Sequence, residues 1–444
     1  MMNILRKTLL AGLALPVLLA SAAAMAGEVT LLFWPGPESE AMQNVVDAYN
    51  AGPGQADGIT VKQLLFSRQG YFEKEQADLA AGSSEFDVAL VTTYTLGRYA
   101  PFLDPIDTQI PAAARTEFAP VALQSLTFDG KLYGVPTDIS VHFLYYRKDL
   151  VDRLLSDPEW QKRYAEIARE KLGKDLKPKA PDDWSWDDWI AAALFFSAAD
   201  NPDSPTRFGT VLQMKNLIFN IMLWQATLVS NGGDWLGPDG KPTIDGAAGR
   251  TGLQVYKTLI DAKATPPGSI SYEYPEANAA FQAGQAATML QWNAAFNELN
   301  DPAKSPTVAG KIGLAPLPAG SAGHKSHVHS LGIGLNTASK NKAEAGKFLA
   351  WLATRDAMTV YAQAGGTPPV PAILKAMAAT RPEFPLVGDH VARYGFVVTG
   401  GTAAYAVPVY EVLAEKFSAF WAGQIDLDTA LKQAAEGMAD RIKG

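Results

Sequence analysis

Three of the five histidines in this 444-residue chain, His324, His327 and His329, stand close together. An alternating His327-Val328-His329 in a Gly/Ser-rich stretch offers imidazoles to Zn²⁺ or Cu²⁺. The plainer expectation is a solvated loop without a specific metal site. Asp182 to Trp189 (DDWSWDDW) resembles an acidic site, but Ser185 is a good helix N-cap. Asp187 and Asp188 would then suit the positive helix start. The chain has no cysteine, which removes disulfides, thiolate nucleophiles and Cys-based metal sites. No G-x-S-x-G elbow, P-loop, HExxH or dinucleotide fingerprint is present. Gly332-Ile333-Gly334 lacks both the third glycine and the strand-to-helix context. Carboxylates are plentiful, yet none is paired by spacing into a hydrolytic dyad. What remains is aromatic and polar side chains at strand ends, a pattern for binding without covalent chemistry.

Alternating elements position those ends. Val29 to Trp34 (VTLLFW) reads as a strand punctuated by Pro35-Gly36-Pro37. Met42, Val45, Val46 and Tyr49 follow at helical spacing. Ile59 to Phe66 and Phe86 to Val91 read as further strands, with a helix from Tyr71 to Ala81 between them. That alternation predicts a parallel sheet covered by helices, with ligands at the carboxyl ends of its strands. Those ends carry Trp34 to Glu38, Ser67 to Gln69 and Thr92 to Thr95. Lys131 to Val135 and His142 to Tyr146 flank Pro136-Thr137-Asp138. A long charged helical section is expected from Lys148 to about Lys177, and later helices from Lys342 to Leu352 and from about Leu427.

Composition is that of a globular protein: 48% of residues are hydrophobic and 19% charged. The length suits two or three domains, and no linker separates them, so two interwoven lobes are expected. The net charge of −8 argues against nucleic-acid binding, which needs a basic surface. Arg6 and Lys7, the apolar stretch Thr8 to Ala20 and Ala24-Met25-Ala26 have the pattern of an export signal cleaved after Ala26. Residues 1–26 are therefore expected to be a signal peptide, and the remainder a periplasmic protein. An uncleaved anchor is the alternative.

Several segments resemble extracellular solute-binding protein family 1, the maltose-binding-protein-like sugar-binding components of ABC importers. They are Phe86-Asp87-Val88 with Leu103 to Asp107 (LDPID), and Asp129 to Leu150 (DGKLYGVPTDISVHFLYYRKDL). Phe281 to Trp292 (FQAGQAATMLQW), Leu331 to Leu352 (LGIGLNTASKNKAEAGKFLAWL), Gly365 to Pro369 (GGTPP) and Ala422 to Leu431 (AGQIDLDTAL) complete the series. The resemblance implies an α/β, two-lobe periplasmic-binding-protein fold of type II, with a hinge and a central ligand cleft. By analogy the chain crosses between lobes near Asp138, Gly334 and Val370. The N-terminal lobe would be 27–138 plus 334–371, and the C-terminal lobe 139–333 plus 372–444.

The same resemblance implies a cleft lined by Trp34, Glu38, Arg68, Thr93, Tyr94, Asp138, Trp224, Trp292, Gly366, Thr367 and Tyr405. Trp292 matches the position whose ring stacks on sugar, and Thr93 and Tyr94 the loop of polar ligand contacts. Asp138 would accept from ligand hydroxyls, or cap the hinge instead. Trp235 is expected over a surface turn, and Trp160, Trp184, Trp186 and Trp189 in helix packing. The implied ligand is a carbohydrate or polyol, whose C–H faces stack on aromatic rings, delivered to the membrane subunits of an ABC permease. The protein would be a monomer needing no cofactor and no metal. A quaternary ammonium or polyamine held by an aromatic cage is the rival ligand. An exported glycan-active enzyme and a scaffold or adhesion protein are rivals of other classes.

Overall fold

A computed structural model describes residues 27–67 and 70–443. The expected signal peptide and Arg68 lie outside the described residues. The strands that organise the molecule are β1 (Gly27–Phe33), β2 (Ile59–Leu65), β3 (Val88–Thr92), β4 (Leu103–Asp104), β5 (Val135–Ser140) and β6 (His142–Arg147). They continue with β7 (Phe208–Val211), β8 (Ala286–Trp292), β9 (Ile312–Ala315), β10 (Ser326–His327), β11 (His329–Asn336) and β12 (Gly395–Phe396).

The first lobe is built on the sheet β2-β1-β3-β11-β4, with β5 also paired to β11. β1 runs parallel to β2 and β3, and β11 enters antiparallel. All five residues of β3 (VALVT) are buried, as a central strand covered on both faces requires. Helix α1 (Pro37–Ala51) buries Met42, Val45, Val46 and Tyr49, the stripe that their spacing predicts. Helix α2 (Tyr71–Ala80) and the short α3 (Leu96–Tyr99) carry the chain past the ends of β2 and β3.

The second lobe has the sheet β9-β6-β8-β7, with α4 (Trp186–Phe195) packed on β7. Helices α5 (Ile218–Ser230), α6 (Ala247–Asp261) and α8 (Ala406–Trp421) pack on one another, and α7 (Phe384–Tyr394) lies against β10 and β12. Ser185 caps α4: its backbone N–H donates to Asp188 Oδ2 (2.8 Å) while its hydroxyl accepts from the Asp188 N–H. The acidic DDWSWDDW segment is thus a capping box. The charged section after Lys148 is two helices, Lys148–Ser156 and Pro158–Leu172. Asp157 interrupts it by accepting the N–H groups of Glu159 and Trp160, with Pro158 in the first helical turn.

The chain leaves the first sheet after Ser140 and enters the second at His142. Later in the chain β10 pairs with β12, and β11, which includes Gly334, rejoins the first sheet. Gly332 and Gly334 lie within β11 because backbone crowds them. A Cβ on Gly334 would stand 2.7 Å from the Tyr133 carbonyl, and one on Gly332 2.9 Å from that of Val135. These glycines mark close packing, not hinge freedom. A third passage, at residues 367–371, is held by Ile139 N–H donating to Thr367 O (2.9 Å) and Ala119 N–H donating to Pro369 O (2.8 Å).

His327 and His329 occupy strands and are 1% and 7% exposed; the expected solvated loop is not formed there. Trp235, expected over a surface turn, is fully buried, 4.7 Å from the Tyr410 ring. No helix among the described residues is long and apolar enough to cross a membrane.

Candidate ligand cleft

β1 is apolar to its end, so the chain emerges from the sheet carrying Trp34. Its ring meets Tyr71 and Phe72 edge-on at 5.3 and 5.7 Å. Phe72 meets Tyr94, from the loop after β3, at 5.5 Å. Tyr94 then crosses to the second lobe, where Phe219 of α5 and Tyr410 of α8 lie 6.3 and 6.4 Å away. The imidazole of His329 stacks on Tyr94 at 5.0 Å and meets Trp292 at 6.1 Å. Trp292, half-buried at the end of β8, lies 3.6 Å from the ring of His142. Rings from both lobes and from the returning strand thus form one continuous track across their boundary.

Carboxylates stand at the crossings. Asp138 Oδ2 accepts from Thr367 N–H (2.7 Å) and the Tyr361 hydroxyl (3.1 Å). Burial, and then the negative charge of Glu38, push the Asp138 carboxyl up to about 8. Glu38, in the first turn of α1, is half-buried, and its Oε2 is enclosed without a hydrogen-bond partner among the described residues. The same charge acts on Tyr274 and Tyr361, so Glu38 faces the crossings. Gly366 has a specific reason to be glycine: a Cβ there would overlap the Tyr361 ring.

Four buried imidazoles surround the return passage: His142, His327, His329 and His390, the last from α7. Burial pulls His327, His329 and His390 down to about 3 and holds His142 well below the usual imidazole range. Both ring nitrogens of His327, and Nδ1 of His142 and His329, are enclosed without hydrogen-bond partners among the described residues. Neither this cluster nor any other group of three His, Cys, Asp or Glu among the described residues is placed to hold a metal ion.

The expected site residues separate into three sets. Trp34, Tyr94 and Trp292 join the ring track, and Glu38, Asp138, Gly366 and Thr367 gather at the crossings. Thr93 lies between the two, but its hydroxyl accepts the Ser330 N–H (2.9 Å), tying β3 to the returning strand. Tyr405 is half-buried just before α8. Trp224 is elsewhere, fully buried against Phe417 at 4.5 Å in the interior of the second lobe. Phe72, His142, Phe219, His329, Tyr361 and Tyr410 were not anticipated. The readable signal for His329 was the alternation of His327-Val328-His329 running into the apolar Leu331-Gly332-Ile333, a strand period.

The family profile of bacterial extracellular solute-binding proteins matches residues 35–359. A probable ABC transporter-binding protein of Deinococcus radiodurans is 29% identical over 387 residues, 83% of each chain. The mannitol-binding protein of Pseudomonas aeruginosa is 22% identical over 408 residues, 87% of each chain. The maltose-bound structure of T. maritima MalE3 superposes with a TM-score of 0.74 at 25% identity, covering 94% of this chain and 100% of that one.

Proposed function

This chain belongs to the bacterial extracellular solute-binding protein family, and from that footing we propose that it captures a neutral carbohydrate or polyol between its lobes for an ABC importer. The observation that carries the ligand class is the ring track from Trp34 to Trp292 beside the Glu38–Asp138 pair. Rings supply faces for C–H groups, and carboxyls supply fixed partners for hydroxyls. The mannitol-binding relative and the maltose-bound neighbour bind ligands of that class. In this reading the cleft residues are Trp34, Glu38, Tyr94, Asp138, Trp292 and Thr367, with Thr93, Gly366 and Tyr405 at its margins; Arg68 belongs to the expected set but lies outside the described residues. The lobes divide at Val141, at Val328 and near Val370. The protein acts as an exported monomer, makes or breaks no covalent bond, and hands its ligand to the permease membrane subunits.

The same rings and Glu38 favour a second reading, a cationic amine held by cation–π contact. The Asp138 carboxyl, pushed up to about 8 by burial and by Glu38, weighs against it, because it offers hydroxyl partners and little charge at neutral pH. A thermal-shift screen of sugars, polyols, sugar phosphates and amines tests the choice. A true ligand at 100 times its Kd adds about 2.7 kcal/mol of stability. Stabilisation by polyols or sugars is expected; stabilisation by amines alone would overturn the carbohydrate reading.

A further inference from the structure

Away from their crossings, the two lobes come into tight contact at Gly97. Helix α3 belongs to the first lobe, packing against α2 and β3. The segment 400–405 belongs to the second: Val398 lies in that lobe's core, and α8 follows. A Cβ on Gly97 of α3 would stand 2.5 Å from the Thr402 carbonyl oxygen and would overlap backbone atoms of Ala403 and Ala404. These obstacles are main chain, so rotating a side chain cannot relieve the clash. Gly97 itself has ordinary helical backbone, so its own conformation gives no reason for glycine, which costs helix stability relative to alanine. The reason is the other lobe. Three residues earlier, Tyr94 also reaches across, to Phe219 and Tyr410.

We propose that Gly97 is a positioning residue that sets how closely the lobes approach, and thereby how tightly the cleft holds its ligand. The proposal rests on the two-lobe capture reading. The contact forms only when the lobes are together, so a side chain at 97 penalises the closed form and leaves the open form untouched. Apparent affinity scales with the fraction of molecules able to close, so a variant closing about one-tenth as often binds roughly tenfold more weakly.

The absence of cysteine permits a readout that needs no ligand. Glu85→Cys in the first lobe and Gln424→Cys in the second, both at exposed positions, carry spin labels whose separation reports closure. The wild-type background is expected to show the separation of this structure, enriched by D-mannitol if that polyol binds. Gly97→Ala should deplete it and Gly97→Val abolish it, with the melting temperature of the ligand-free protein unchanged or raised. D-mannitol, or another polyol or sugar found to bind, should bind Gly97→Ala roughly tenfold more weakly. Unchanged label distances in Gly97→Val would overturn the proposal. So would a wild-type protein that never shows the closed separation, or a fall in ligand-free melting temperature with Gly97→Ala, which would make the contact part of the folded core. If no carbohydrate stabilises the protein, the ligand reading fails, and the label distances still decide the role of Gly97.

Discussion

Trp224 and Trp292 are both tryptophans of the second lobe, and their residue type and length of flanking apolar sequence look alike. Trp224 sits inside α5, an element buried nearly all round, and its ring is closed in by Phe417 and by Gly252, which has no side chain to displace it. Trp292 ends β8, where the sheet stops and the chain must turn. Its ring is half-buried and its neighbours are imidazoles of the crossing strands. A helix interior surrounded by helices spends an aromatic ring on packing. A strand end at a lobe boundary leaves the ring partly exposed. The difference makes opposite demands on the two residues, and each can be tested against the other.

The largest effect should come from Trp224→Ala. Removing a fully buried tryptophan costs about 3–5 kcal/mol of folding stability, read as a lower denaturation midpoint. Affinity per folded molecule should be unchanged. Trp292→Ala should show the reverse: about 2–4 kcal/mol of binding lost, as for a buried aromatic anchor, with the ligand-free protein melting nearly as before. If Trp292→Ala unfolds the protein and keeps affinity, the contrast collapses and Trp34 becomes the better stacking candidate.

The two regions should also differ in their response to acid. Nothing ionisable touches Trp224 among its named neighbours, whereas Trp292 borders the buried imidazoles. Unfolded imidazoles titrate near 6.5, while His327, His329 and His390 are held down to about 3 and His142 is also depressed. Depressed values mean that the stability these groups contribute is complete above pH 6.5 and lost as pH falls toward 3. Each contributes a slope of about 1.4 kcal/mol per pH unit. The raised carboxyls of Asp138 and Glu75 slope the other way, and four imidazoles outweigh two carboxyls. Stability should therefore fall by about 1–3 kcal/mol between pH 6 and 5. His390→Leu, replacing one of the buried imidazoles, should flatten that fall. Superimposable melting curves for the two proteins across this range would remove the cluster from the account.

Local pattern was readable where one element buried its own stripe. The stripe Met42, Val45, Val46 and Tyr49 and the run VTLLF each contain enough information to place a helix or a strand. Reading failed where the deciding partner lay far along the chain. The Thr93 hydroxyl is used by Ser330, 237 residues away, and nothing near Thr93 announces this. A crossing was expected near Gly334 by resemblance alone, and nothing around Gly332 or Gly334 in the sequence announces the backbone of Tyr133 and Val135 that approaches them. The histidines suggested a loop because Gly and Ser surround them, although their alternation already had a strand period. Asp157-Pro158 was a legible helix start inside a charged stretch, masked by the continuity of its composition. Along the ring track, strand ends and the family resemblance together pointed to Trp34, Tyr94 and Trp292, which the structure joins through neighbouring rings. They could not find rings such as Phe219 and Tyr410, which reach the boundary from helix faces.

The smallest expected effect is on ligand affinity, and it separates two roles for Asp138 at the crossings beside the ring track. Its carboxyl is raised to about 8, first by burial and then by Glu38, against about 3.9 in an unfolded chain. Between those values the folded protein keeps a proton that the unfolded chain has lost. Stability from this group is therefore fully present below pH 4 and declines as pH rises toward 8, by up to about 1.4 kcal/mol per unit. Asp138→Asn is neutral throughout, and its amide oxygen can still accept from Thr367 N–H and the Tyr361 hydroxyl. The variant should gain on the wild type steadily from pH 5 to 8 and no further above 8. Glu38→Gln, by removing the adjacent charge, should shift the end of that gain to lower pH. If Asp138 only ties the crossings together, ligand affinity of Asp138→Asn at pH 7 should match the wild type. If it also holds ligand hydroxyls, affinity should fall several-fold, because one buried hydrogen bond contributes about 0.5–1.5 kcal/mol. A stability difference independent of pH would show that Asp138 is ionised in the folded protein, and the case against a cationic ligand would fall with it.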